Sequence, residues 1–150
     1  MKLSRVAQVD IARPPTEVFA LATDVGRFAH LLKAYGPVPG VKSVEPLDEK
    51  RRRVRLSDGT HLDEEVFEVD PPRLNRYRWV SRPKPPFSWL IKDAVATWTF
   101  DPAGGGTHVV WRYDFELTTP LVVGFAAILL AVFGRWMQRG LDAVRDTAQA

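Results

Sequence analysis

Polar and apolar residues alternate with a period of two over most of the chain and switch to helical spacing near its two ends. Residues 3–11 (LSRVAQVDI) alternate loosely and predict a first strand, with Val9 and Ile11 on one face. Pro14 and Pro15 have no place inside a strand but suit the start of a helix carried on by Glu17-Val18-Phe19-Ala20-Leu21. Asp24 offers an N-cap for a second helix, with Val25, Phe28, Leu31 and Leu32 at helical spacing until Tyr35-Gly36-Pro37 ends it. Two brief helices are therefore expected between residues 14 and 34. Short alternating runs at 41–47, 51–57, 60–69, 74–81, 94–100 and 107–117 predict six further strands. Asp58-Gly59 reads as a two-residue hairpin turn, Asp70-Pro71-Pro72 as a corner, and 101–106 as a longer glycine-rich hairpin loop. Strands linked by hairpins, with no helices between them, form a continuous antiparallel sheet. Residues 82–87, with three prolines, give no clear element.

The last third predicts one long helix. Thr118 or Thr119 can cap it, Pro120 sits in the first turn, and Leu121, Phe125, Leu129, Val132, Trp136, Gly140 and Val144 carry the period to about residue 148. At ~1.5 Å per residue it would be roughly 40 Å long, enough to lie across the sheet. Residues 117–134 carry no charge, but the strongly apolar part, 121–134, falls short of the ~20 residues a membrane span needs. A helix apolar on most sides needs cover, and the sheet has a face to give it. Val109, Trp111, Tyr113 and Phe115 share one side of the last strand. Trp98 and Phe100 share a side with Ala94 and Ala96, and Tyr77 pairs in this way with Trp79, leaving Arg76 and Arg78 in water. The helix is thus expected to lie buried against this face, with membrane contact not expected.

Thirteen of the 16 aromatic residues lie from Phe67 onward. Large rings fill a core, but a curved sheet facing one helix also leaves gaps. A gap lined by Trp and Tyr with a few polar tips suits an apolar or aromatic small molecule. At 150 residues, 45% hydrophobic and 26% charged, the chain fits one globular domain, residues 1–150. The absence of cysteine excludes disulfides, thiolate zinc sites and cysteine nucleophiles. A net charge of +3 is mild, so no nucleic-acid partner is expected. Met1-Lys2-Leu3-Ser4-Arg5 runs into polar residues rather than an apolar stretch, which sets the expectation of a cytoplasmic protein.

Candidates for catalysis are few. The histidines are His30, His61 and His108. If Asp58-Gly59 makes a tight turn, Ser57 pairs with Thr60 and Leu56 with His61 on the same face. Following Leu56 inward then brings His61, Asp63, Glu65, Phe67 and Val69 inside, an imidazole and two carboxylates fit for acid/base work. Arg53 and Arg55 would stay outside, with Glu64 as their cross-strand partner. A one-residue bulge reverses the faces, giving Leu62 and Val66 inward and the acids to water. No Gly-x-Ser-x-Gly elbow occurs, three histidines without cysteine offer no metal spacing, and Gly104-Gly105-Gly106 leads into a strand, so no cofactor or metal is expected. Lys50-Arg51-Arg52-Arg53 with Arg55, at a hairpin edge, reads as a solubilising face.

Three stretches carry a family likeness: Val9-Asp10-Ile11-Ala12-Arg13-Pro14-Pro15-Thr16-Glu17-Val18-Phe19; Glu65-Val66-Phe67-Glu68-Val69-Asp70-Pro71-Pro72-Arg73-Leu74; and Ala96-Thr97-Trp98-Thr99-Phe100-Asp101-Pro102 through Gly105-Gly106-Thr107-His108-Val109. With the order of elements, they resemble the START-related, birch-pollen-allergen-like (SRPBCC) superfamily, in its polyketide cyclase/dehydratase and lipid-transport branch. The resemblance implies an α+β helix-grip fold, a curved antiparallel sheet of about seven strands wrapped around a long C-terminal helix. It further implies a deep cavity for a hydrophobic ligand such as a lipid, a polyketide or a quinone. The expected wall is Trp79, Trp98, Trp111, Tyr113, Phe125, Leu129, Phe133 and Met137, with Phe28, Leu32 and Tyr35 as a lid and Trp89 at its border. The expected function is binding of a small hydrophobic molecule by a monomer or homodimer. The alternatives are a cyclase or dehydratase using His61, Asp63 or Glu65, and a membrane- or partner-docking module presenting the apolar helix.

Overall fold

Strand β1 (Lys2–Ile11) leads into helices α1 (Pro15–Thr23) and α2 (Val25–Ala29) in the computed structural model, which describes residues 1–150. Four strands follow: β2 (Val41–Pro46), β3 (Arg51–Leu56), β4 (His61–Asp70) and β5 (Leu74–Trp79). A single helical turn, α3 (Phe87–Leu90), precedes the long strands β6 (Ile91–Ala103) and β7 (Gly106–Leu117). After a 3₁₀ turn at Pro120–Val122, helix α4 (Val123–Gln149) closes the chain. All seven strands form one antiparallel sheet in the order β1-β7-β6-β5-β4-β3-β2. Curved around α4, it is the helix-grip α+β fold.

The start signals act where they were expected. Asp24 accepts the Arg27 N–H at 3.4 Å to start α2, and the Thr119 hydroxyl accepts the Leu121 N–H at 3.4 Å. The two hairpins differ from expectation in opposite directions. Ala103 pairs with Gly106, so residues 101–106 form a tight turn rather than a long loop; Gly104 and Gly105 sit at φ +57° and +84°, as a two-residue turn of this kind requires. At the β3–β4 turn only Gly59 has a positive φ, +89°, because Asp58 pays a steric cost there. The Leu56 N–H donates to Thr60 O at 2.9 Å, leaving a three-residue loop, Ser57-Asp58-Gly59. His61 consequently pairs with Arg55, not with Leu56.

One half of the interior is solid. Trp98 lies stacked between Trp111 and Phe100, with ring centroids 4.6 and 6.0 Å away, and Phe19 of α1 meets Phe100 edge-on at 5.2 Å. Leu130, Met137, Leu141 and Val144 of α4 are wholly buried with Ile11 and Val18. The α4 residues in the core recur at helical spacing on one face only, from Ala126 to Val144. The expectation of a helix covered on most sides is corrected by Leu121, Phe125 and Ile128, which remain 90%, 73% and 71% exposed.

The solid half should dominate stability. Trp98→Ala is expected to cost about 3–5 kcal/mol in urea unfolding, by transfer and cavity effects together. Phe125→Ala, on the uncovered face, should stay within about 0.5 kcal/mol of the parent. Equal losses at the two positions would contradict this partition.

Candidate functional site

The other half of the interior is hollow. Where β2 to β5 curve away from α4, a cavity of about 100 Å³ opens beneath α2 and α3. Its wall is mostly apolar, as guest-binding cavities are. β7 and β5 supply Trp111, Tyr113, Tyr77 and Trp79; α4 supplies Phe133 and Trp136; α3 supplies Phe87. Phe133 meets Tyr113 and Phe115 edge-on at 5.2 and 5.3 Å, which fixes that side of the wall. Phe28 and Ala29 of α2 and Leu32 just after it form the roof, and Phe28 rests edge-on against Trp98 and Trp111.

The three-residue β3–β4 loop decides what else enters the cavity. Sliding one strand by a residue turns every side chain to the opposite face. Arg52, Val54 and Leu56 of β3 and Leu62 and Glu64 of β4 line the void. Arg52 lies directly opposite Glu64 in the ladder, and its Nε donates to Glu64 Oε1 at 2.9 Å. Burial pushes the Glu64 carboxyl above the ordinary range, against the pull of Arg52. Burial also opposes the Arg52 charge, but Glu64 outweighs it and keeps the guanidinium firmly protonated. That guanidinium also stands over the Tyr77 ring, 4.6 Å from its centroid. The Tyr77 hydroxyl accepts the Trp98 Nε1–H at 3.3 Å and is pushed up to about 12, by burial first and then by the Glu64 charge. Two indole Nε1–H groups of the wall, on Trp111 and Trp136, are buried without an acceptor, while that of Trp79 lies by the Tyr113 hydroxyl.

The mouth has its own ion pair. The Lys84 ammonium, from the proline-rich loop, meets Asp58 of the β3–β4 turn. Burial alone would raise Asp58, yet the Lys84 and Thr60 donors hold its carboxyl at about 2.

Of the residues expected to hold a ligand, Phe28, Leu32, Trp79, Trp111, Tyr113 and Phe133 line the void. Trp98, Leu129 and Met137 are buried in the solid half and do not reach it. Tyr35 lies under the Arg139 guanidinium, 4.5 Å from its ring centroid, while Phe125 and Trp89 face outward. The acid/base candidates are also turned outward: His61 is exposed, Asp63 binds Arg53 at 2.9 Å, and Glu65 binds Arg78 at 2.6 Å. Those two arginines hold both carboxyls below their usual range. Phe67 and Val69 face outward as well. The expected cross-strand role of Glu64 toward Arg53 and Arg55 is corrected: those two pair with Asp63 and Glu45, and Glu64 takes Arg52 inside. Arg52 was hidden in a basic run, although it shares the parity of Val54 and Leu56; following that parity two residues further would have found it.

The sequence pattern of a family described as polyketide cyclase/dehydrase and lipid transport matches residues 3–149. The ZhuI aromatase/cyclase from Streptomyces sp. R1128 is similar in structure, with a TM-score of 0.75 and 20% identity over 99% of this chain and 94% of that one. The di-domain aromatase/cyclase BexL of the BE-7585A biosynthetic pathway has a TM-score of 0.74 and 16% identity, covering 99% of this chain; the chain spans only 50% of BexL. Ara h 8.0201 has a TM-score of 0.68 at 13% identity, over 99% and 98% of the two chains. At these identities the likeness is one of fold. No curated protein matches the chain in sequence.

A buried ion pair that loses one partner leaves a bare charge in an apolar cavity. Glu64→Leu is therefore expected to lower stability by about 3–5 kcal/mol in urea unfolding. The double change Arg52→Met with Glu64→Leu should return to the parent value or above it. A double variant as unstable as the single one would contradict the inward placement of both residues.

Proposed function

The chain belongs to the polyketide cyclase/dehydrase and lipid transport family, and on that premise we propose that it is a cytoplasmic binder of one small, oxygen-bearing aromatic molecule held beneath α4. The observation that carries this reading is the pair of unpartnered indole N–H groups on Trp111 and Trp136. A buried donor without an acceptor costs roughly 1–3 kcal/mol, which a carbonyl or phenolic oxygen of a guest would recover. An alkyl chain recovers none of it, so a quinone- or polyketide-like guest is favoured over a simple lipid. Burial of the guest's rings, at ~25 cal/mol per Å², supplies the bulk of the affinity. The Arg52 cation adds a second preference for acceptor oxygens. That ZhuI and BexL are aromatase/cyclases agrees with such a guest.

A second reading, a cyclase or dehydratase, is favoured by one feature, the raised Glu64 carboxyl beside a fixed cation. In that reading Glu64 moves the proton and Arg52 steadies the enolate oxygen that develops. It replaces the outward-facing His61, Asp63 and Glu65 in that role.

The binding proposal is tested by tryptophan fluorescence titration with 1,8-dihydroxyanthraquinone and with palmitate. The anthraquinone should bind at least tenfold more tightly, a difference of about 1.4 kcal/mol. Trp111→Phe, which keeps the ring and removes the N–H, should weaken the anthraquinone several-fold and leave palmitate unchanged. Tighter binding of palmitate, or no saturable binding of either probe, would overturn the proposal.

A further inference from the structure

Leu121, Phe125 and Ile128 follow one another at helical spacing on the side of α4 turned away from the sheet, 90%, 73% and 71% exposed. Trp89 of α3 is 69% exposed as well. The link between the two elements is direct. Thr118, at the foot of α4, donates its hydroxyl to Trp89 O at 2.8 Å and its N–H to Leu90 O at 3.0 Å. Four large exposed apolar side chains thus lie on two directly linked elements, and an exposed apolar surface of this kind marks a contact site more often than chance.

Cations outnumber acids around the patch. No acidic residue occurs between Glu116 and Asp142. Arg135 continues the Leu121–Ile128 face, exposed and with no carboxylate partner. Lys92 follows α3, exposed and equally unpaired. Arg5 lies along α4 and donates only to carbonyl oxygens, of Ala127 at 3.1 Å and of Ser4 at 2.8 Å. The two nearby acids are already engaged: Asp93 accepts the Ala94 N–H at 2.9 Å, and Glu116 accepts the Met1 ammonium at 3.2 Å.

We propose that this surface docks the protein on an anionic lipid bilayer, with Trp89, Leu121, Phe125 and Ile128 among the acyl chains and Lys92, Arg5 and Arg135 at the headgroup phosphates. An apolar helix face rimmed by cations is the form of an interfacial helix, and each cation near such a surface contributes favourably. The helix lies on the bilayer and does not cross it. Residues Pro120–Gln149 are long and apolar enough to span, but Leu130, Phe133, Met137 and Leu141 on the opposite face belong to the core and would have to leave it. A second copy of the chain fits less well. It would bring the same cations against each other. Because α3 also gives Phe87 to the cavity wall, docking sets that wall at the lipid surface. The proposal does not depend on what the cavity holds.

The test is co-sedimentation of the full chain with vesicles of phosphatidylcholine and phosphatidylserine at about 7:3, against vesicles of phosphatidylcholine alone. The protein should pellet with the anionic vesicles at low salt, and the bound fraction should fall about tenfold as salt rises from roughly 0.05 to 0.5 M. Phe125→Ser with Ile128→Ser should reduce anionic-vesicle binding about tenfold, with circular dichroism unchanged. Arg135→Glu should remove most of the salt dependence and spare the fold. Failure of the parent protein to pellet at low salt would overturn the proposal. So would a serine variant that binds as well as the parent, or a concentration-dependent dimer that the serine variant converts to monomer.

Discussion

Charge inside an apolar hollow is expensive, and the Arg52–Glu64 pair persists there because the β3–β4 ladder sets the two residues directly opposite each other. Each ion leaving water costs several kcal/mol, recovered only when geometry is good on both sides. The Nε-to-carboxylate contact and the guanidinium over Tyr77 provide that geometry. Both follow from a turn in which Gly59 alone takes the left-handed conformation, so the loop has three residues rather than two. A slip of one residue in β4 would hand the cavity His61 and Asp63, send Glu64 to water and leave Arg52 inside without its partner. One glycine's place in one turn therefore decides the chemistry of the site.

The interior divides its tasks along the sheet. Near β1, β6 and β7, stacked rings and the C-terminal half of α4 interlock and supply stability. Beyond β7, toward β2, the strands bend away and the helix cannot follow, so rings line a space without filling it. The same helix thus contributes Met137 to a solid core, Phe133 and Trp136 to a wall, and Phe125 to an outer surface. One periodic sequence serves three environments because a straight helix meets a curved sheet along only part of its length.

This division explains what could be read in advance. Strand positions, the two short helices, the caps at Asp24 and Thr119 and the inward aromatics of β5, β6 and β7 follow from local periodicity and turn chemistry. Trp98 and Trp111 have the same pattern, yet one is core and the other wall, since neighbours distant in sequence decide between them. Phe125 and Leu129 are likewise one turn apart, and only the position of the sheet separates exposed from buried. The single turn of α3 was illegible among prolines that suit several conformations. Register was left open between an inward His61 and an inward Leu62, and the structure takes the second. Asp-Gly is compatible with hairpin loops of two or three residues, and no side-chain pattern in 57–60 distinguishes them.

The chain has no cysteine, so a single introduced thiol reports its own surroundings. The decisive measurement is the rate at which a water-soluble disulfide reagent modifies His61→Cys, Leu62→Cys, Asp63→Cys and Glu64→Cys variants of the folded protein. Fast reaction at positions 61 and 63, with slow reaction at 62 and 64, is the result that follows from a cavity holding Arg52 and Glu64. The opposite parity would mean that Glu64 lies in water and the ion pair does not exist, and the account of the site would fall with it.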